Sequence, residues 1–209
     1  MPVRVQDENQ QSITIFSIGH SNQSMQAFLE LLRQHQVQVV VDVRSSPYSK
    51  YVPHFNSSTL AVALEQDNKQ YRFMGKELGG RPDGDEFYDV ENHVLYDRVA
   101  ESSFFLKGIH YLQDIAKVSR TAIMCSEEDP RTCHRHLLLG RVLAKYEVNL
   151  LHIRGDGQIQ TEQELVSGQE RPAYEQSLWG EQLPDQEAGI WRSIRSVSPR
   201  KPQPNSSDV

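Results

Sequence analysis

The chain has 209 residues, 37% of them hydrophobic, which is enough for one sizeable core with polar sequence left over. Its formal net charge of −6 argues against broad nonspecific attraction to nucleic acid, while leaving room for a local basic cleft. Two cysteines are too few for a disulfide scaffold, no window reaches the roughly 18 apolar residues of a membrane span, and MPVRVQDENQQS carries no signal-like apolar run; a cytoplasmic protein with no membrane partner is expected.

In chain order, SITIFSIGH (12–20) alternates and then runs apolar before Gly19, the pattern of a strand ending in a turn. MQAFLELLRQ (25–34) places Met25, Phe28, Leu29 and Leu32 at helical spacing behind Ser24, a natural N-cap. VQVVVDVRSSP (37–47) is a nearly continuous apolar strand, as expected where both faces are covered. A helix at 57–66, a short strand at 71–75 and a glycine-rich loop at 78–89 follow. The alternation then resumes with a helix at 109–118, a strand at 121–125, a helix at 133–146 and a strand at 148–153. These elements predict a Rossmann-like, three-layer α/β sandwich with a mainly parallel sheet. Residues 1–12 are expected to be an N-terminal extension, 13–157 the folded domain, and 158–209 a polar tail that is at least partly disordered, with Trp179 and Trp191 as its apolar exceptions.

Ligands of open parallel sheets bind outside the carboxyl ends of the strands. Those ends deliver Gly19, His20 and Ser21; Asp42, Arg44 and Ser45; Cys125, Ser126 and Glu127; and His152 and Arg154. The glycine turn at 19–21 opens a helix and offers amide groups to an anion, or is simply a tight turn with a capping serine. Asp42 and Arg44, two apart at a strand end, either serve a substrate or form an ion pair with one another.

Both cysteines fall in MCSEEDPRTCHRH (124–136), which admits three chemistries. Cys125 to Arg131 spells C-x5-R, the spacing of a thiolate in an anion-binding loop, but three intervening carboxylates would repel a phosphate. Cys125, Cys133 and His134, joined by His20 or His152, have zinc-ligand chemistry without the usual short C-x2–4-C pair. Alternatively Glu127 is a general acid or base, and Cys133, His134 and Arg135 start a helix that caps an anionic ligand. Buried, inert cysteines are the plain alternative to all three. The expectation is two reduced thiols and no metal, with His134 and Arg135 facing the ligand; convergence of both sulfurs and a histidine nitrogen on one point would overturn it. Between Arg44 and Arg81, basic and aromatic residues interleave (Tyr48, Lys50, Tyr51, His54, Phe55), the mixture a nucleotide or nucleic-acid surface needs and a core edge also shows.

Taken together, "SIGHSNQSMQAFLELL", "VVVDVRSSPYSKYVPHFN", "YRFMGKELGGR", "CSEEDPRTCHRH" and "LLHI" resemble the bacterial and archaeal family called domain of unknown function 488, over about residues 13–155. The resemblance implies a shared α/β fold and signature positions at Gly19, His20, Ser21, Asp42, Arg44, Pro47, Ser49, Phe55, Leu78, Gly79, Gly80, Cys125, Glu127, Cys133, His134 and Arg135. Arg131 is not among them, which weighs against the C-x5-R reading. The expected roles are Glu127, Cys125, His20 and Asp42 in catalysis, and Gly19, Ser21, Arg44, Ser49, Arg81, Cys133, His134 and Arg135 in ligand binding. The functional expectation is an enzyme or ligand-binding domain for a small anionic, nucleotide-like molecule. A non-catalytic module binding nucleic acid or a partner is the alternative, and a cysteine-dependent phosphatase or sulfurtransferase a third reading. Cofactor and oligomeric state are not legible.

Overall fold

The computed structural model describes residues 12–167 and 191–197. The expected N-terminal extension (all but its last residue), Trp179 and residues 198–209 lie outside them. Strands β1 (Thr14–Gly19), β2 (Val39–Asp42), β3 (Gln70–Phe73), β4 (Thr121–Cys125), β5 (Asn149–Ile153) and β6 (Ile159–Thr161) form one sheet in the order β3-β2-β4-β1-β5-β6. Every pairing is parallel except β5 with β6. The fold is a three-layer α/β sandwich.

Period-2 alternation sorts the strand side chains between two cores. Phe16 and Ile18, Val40, Ala122 and Met124 pack against Phe28, Leu31 and Leu32 of α1 (Met25–Gln34) and Leu60 and Leu64 of α2 (Ser57–Gln66). Ile15, Val39, Val41, Ile123 and Cys125 point the other way. They meet Val99 of α3 (Tyr96–Glu101), Phe105, Ile109 and Leu112 of α4 (Ser103–Val118), and Val142 and Leu143 of α5 (Arg141–Lys145). Each fully buried Leu or Phe contributes about 1.5–3 kcal/mol. Ser24 caps α1 as its sequence predicts, its hydroxyl accepting from the Ala27 amide at 3.1 Å.

Three elements differ from expectation. Helix α4 starts at Ser103 rather than 109, directly after Ser102, the one residue that separates it from α3. The helix expected at 133–146 begins with a π-helical segment, Arg135–Gly140, before α5. The stretch read as a tail supplies β6 and α6 (Glu162–Ser167), and residues 191–197 lie against the domain. Trp191 packs on Tyr96 with centroids 6.1 Å apart and its indole N–H donates to the Leu137 carbonyl at 2.7 Å. Backbone bonds from Tyr96 to Trp191 (2.8 Å), Ser193 to Val94 (2.9 Å) and Val197 to Asn92 (2.8 Å) fix this segment beside the strand ends. Among the described residues no helix is long and apolar enough to cross a membrane.

Candidate functional site

The connections after β2 and β4 leave toward opposite layers, to α2 and to the π-helical turn before α5. A crevice opens where neighbouring strands part in this way. It holds a cleft of about 490 Å³ lined by Arg44, Ser45, Ser46, Tyr48, Gly80, Arg81 and Tyr96, by residues 125–127 and 132–134, and by residues 193–197. Main-chain bonds continue past the strands and fix its floor. Val43 donates to Met124 (3.0 Å), His20 to Cys125 (3.0 Å) and Ser21 to Ser126 (2.9 Å). The amides of His20 and Ser21 are therefore engaged with β4 and its loop rather than offered to an anion. Gly19 is required by the same approach, since a Cβ there would sit 1.8 Å from the Glu127 carbonyl oxygen.

Behind one wall lies a buried polar cluster. Arg44 donates from Nε to Asp42 Oδ1 (2.9 Å) and from Nη2 to Oδ2 (2.6 Å), and Nη2 also reaches the Phe55 carbonyl (2.9 Å). Asp42 is 0% exposed and accepts from Tyr71 as well (2.8 Å). Arg44 Nη1 donates to His20 Nε2 at 3.0 Å, so the imidazole proton is on Nδ1, which gives it to the Ser21 carbonyl at 2.7 Å. Burial, with the Arg44 charge adding to it, pulls the His20 pKa down to about 4, and the neutral ring stacks on Phe55 at 4.3 Å. Asp42 and His20, expected in catalysis, thus position Arg44. The ion-pair reading of Asp42 and Arg44 describes the geometry, and Arg44 still borders the cleft.

The cysteine loop forms the cleft floor. The Cys125 and Cys133 thiols both point at Glu127 Oε2, at 3.0 and 3.3 Å. His134 Nδ1 stands 3.8 Å from one sulfur and 3.7 Å from the other. The hydrogen bond to Cys133, reinforced by burial, raises the Cys125 thiol well above its ordinary value. Burial pushes Cys133 the same way, but the bond from Cys125 and the charges of Arg135 and His134 outweigh it and hold Cys133 well below the ordinary range. His134 answers in kind, its burial overcome by the Cys133 charge so that its pKa rises. Of the pair, Cys133 is held the more acidic.

Arg135, expected to face a ligand, is instead 0% exposed. Successive helical side chains diverge by about a quarter turn, and here the start of the helix is embedded on every side. While Cys133 and His134 reach the cleft, Arg135 turns inward and donates to Cys133 Sγ (3.3 Å), Ser17 Oγ (3.1 Å) and the carbonyls of Glu127 and Glu128. It anchors the loop that carries Glu127. The network runs on from Ser17 to His152 Nδ1 (2.6 Å), and Glu162 accepts from both His152 (2.8 Å) and His136 (2.7 Å). Ser17 and His152 are register partners on adjacent strands, which is why they meet.

Of the residues singled out in the sequence, the cleft gathers Arg44, Arg81, Cys125, Glu127, Cys133 and His134. Gly19, Ser21, Ser49 and His152 do not line it. Ser49 braces the turn that leads to Phe55, its hydroxyl accepting from the Tyr51 amide at 3.2 Å. Arg154 is clamped by Glu128 (2.9 and 2.8 Å), and the C-x5-R arginine, Arg131, is exposed and bound to Asp129 (2.7 Å) away from the sulfurs. Sequence reasoning missed Tyr96, Thr132 and residues 193–197. Only the docking of Trp191 brings that last segment over the cleft, and an isolated tryptophan in a polar stretch was its one signal.

No curated protein and no solved structure matches the chain. A family model does match, over residues 24–142, more than half of the 209 residues, and that span holds α1, β2, the cleft wall and the whole cysteine loop; the chain belongs to the family described as Domain of unknown function DUF488.

Proposed function

We propose that this domain binds a small anionic molecule of nucleotide size in the cleft, and acts on it as an enzyme with Glu127 as the acid–base group. The observation that carries this is cationic. Arg81 and Arg195 stand at the cleft with no carboxylate partner among the described residues, unlike Arg44, Arg131, Arg154 and Arg192, which are all paired. Hydroxyls of Ser45, Ser46, Ser126, Thr132 and Tyr96 surround them. Burial holds the Tyr96 pKa far above its ordinary value, so that hydroxyl remains a donor. The test is thermal melting of the full chain with inorganic phosphate, a nucleoside monophosphate and a dicarboxylate. An anion at 100 times its Kd should add about 2.7 kcal/mol, or roughly 5–11 °C. Arg81→Ala with Arg195→Ala should remove that gain while leaving the unliganded Tm unchanged. No shift with any anion, or a shift that survives the double variant, refutes the reading.

One observation favours a second reading, a surface for single-stranded nucleic acid. Tyr48, which lines the cleft, is 73% exposed and Tyr51, three residues on, is 82% exposed, and the Lys50 ammonium lies 5.0 Å from the Tyr51 ring. Oligonucleotide binding that falls steeply with salt and is lost in Tyr48→Ala would favour it.

A further inference from the structure

We propose that Cys125, Cys133 and Nδ1 of His134 hold a zinc ion at the cleft floor, with the fourth position open to the cleft beside Glu127. This goes beyond the anion-binding reading and does not depend on it. The two sulfurs and the nitrogen lie within 4.8 Å of one another. Glu127 Oε2 is 3.0 and 3.3 Å from the sulfurs, and His134 Nδ1 is 3.8 and 3.7 Å from them. Bond lengths of about 2.3 Å to sulfur and 2.1 Å to nitrogen or oxygen give a tetrahedral zinc site edges of roughly 3.6 Å. The two nitrogen–sulfur edges, 3.8 and 3.7 Å, are close to that value. Hydrogen bonding alone gives one imidazole nitrogen no reason to be equidistant from two sulfurs. Two thiols and an imidazole are also donor types zinc selects.

A second observation concerns His134 itself. Its ring is buried, and Nε2 has no hydrogen-bond partner among the described residues. What fixes the ring is steric: Gly80 crosses its face, and a Cβ on Gly80 would lie 2.9 Å from His134 Cγ. The ring is thus held with Nδ1 aimed between the sulfurs. Cys125, Cys133 and His134 are buried, whereas Glu127 is exposed and borders the cleft. Three buried donors and a fourth position open to the cleft make the pattern of a reactive zinc centre rather than a sealed structural one. In a second cluster, His136, His152 and Glu162, both His152 nitrogens and His136 Nδ1 are already engaged by Ser17 and Glu162, and the third, Asp89, Glu91 and His93, has no sulfur ligand.

The test uses full-length protein purified with reductant and without chelator. One zinc per chain is expected by elemental analysis. After stripping, cobalt(II) should restore thiolate-to-cobalt charge-transfer absorption and the visible bands of a tetrahedral ion. Cys133→Ser and His134→Gln should each lose that spectrum, while Glu127→Gln keeps it with weaker affinity. Because either loss could also come from misfolding, far-UV circular dichroism of each variant and zinc competition against bound cobalt in the unmodified chain are read alongside. Absence of a thiolate–cobalt band in the reduced, folded chain overturns the proposal. So does metal bound without that band, which would place it on the His136 cluster, or a Cys125–Cys133 disulfide whose reduction restores no binding.

Discussion

Asp42→Asn tests the buried ion pair that this structure assigns to the candidate catalytic residues. The substitution keeps the shape but removes the carboxylate beside Arg44, whose side chain is only 5% exposed, and turns one acceptor oxygen into an N–H donor that faces donors. A guanidinium left without a counter-charge in that setting should cost about 3–5 kcal/mol, which is a fifth or more of the roughly 5–15 kcal/mol that holds an ordinary domain together. Tm should fall by about 6–20 °C, and the urea midpoint should drop with an unchanged slope. Arg44→Gln strands the opposite charge and should cost a similar amount. In the double variant neither charge remains, so the loss should be about that of one single variant, a coupling of at least about 2 kcal/mol. The assay is equilibrium urea unfolding followed by circular dichroism on all four proteins. Effects that add within about 0.5 kcal/mol would refute the pair as a unit. A stabilising Asp42→Asn would refute the positioning role and return Asp42 to the catalytic one, because strained functional groups are the ones whose removal stabilises.

Three other outcomes follow from the geometry. His20 has a folded pKa of about 4 against an ordinary 6.5, so the folded state binds fewer protons between those values; its contribution is present above pH 6.5 and is lost as pH falls to 4, up to about 3 kcal/mol. His20→Gln should flatten that acid-side loss despite Arg44, Asp42 and His54 nearby, and parallel pH profiles would count against it. Gly19→Ala meets backbone rather than a flexible tip, so a loss of about 1–3 kcal/mol is expected in urea unfolding, and wild-type stability would mean the 127–128 loop yields freely. Truncation after Gly157 strips Glu162 from buried His136 and His152; at about 1–3 kcal/mol per orphaned group, Tm should drop by roughly 4–24 °C, and an unchanged melt would make residues 158–209 dispensable after all.

The fold was legible because local signals agreed with one another. Alternation in TIFSIG, the i, i+3, i+4, i+7 spacing after Ser24 and the valine run of β2 each admit one structure, and βαβ handedness orders them into a parallel sheet. What escaped was short or tertiary in origin. Strand β6 has three residues and no strong alternation, and exists because β5 offers it an edge. The π-helical turn has no periodic signature, since it answers the need to bury Cys133, His134, Arg135 and His136 in different directions at once.

Within the site, residue types were legible and their division of labour was not. A strand end names which side chains reach the crevice's edge, but burial decides whether a cation there binds a ligand or holds the protein together. Arg44, Arg135 and Arg81 look alike in sequence. The first is tied down by an aspartate two residues away, the second by a thiol and two carbonyls of the loop it anchors, and the third has no ion-pair partner among the described residues. The same logic applies to the cysteines. An eight-residue separation along the chain says nothing of metal binding until the sheet register sets Gly19 beside Cys125, and Arg135 pulls the Glu127 carbonyl inward. Only then do both sulfurs and one imidazole nitrogen lie within 4.8 Å of one another. The residues that look most catalytic along the chain, His20 and Asp42, hold Arg44 behind the cleft wall, and the side chains that face the cleft are ones that the tertiary fold brings together.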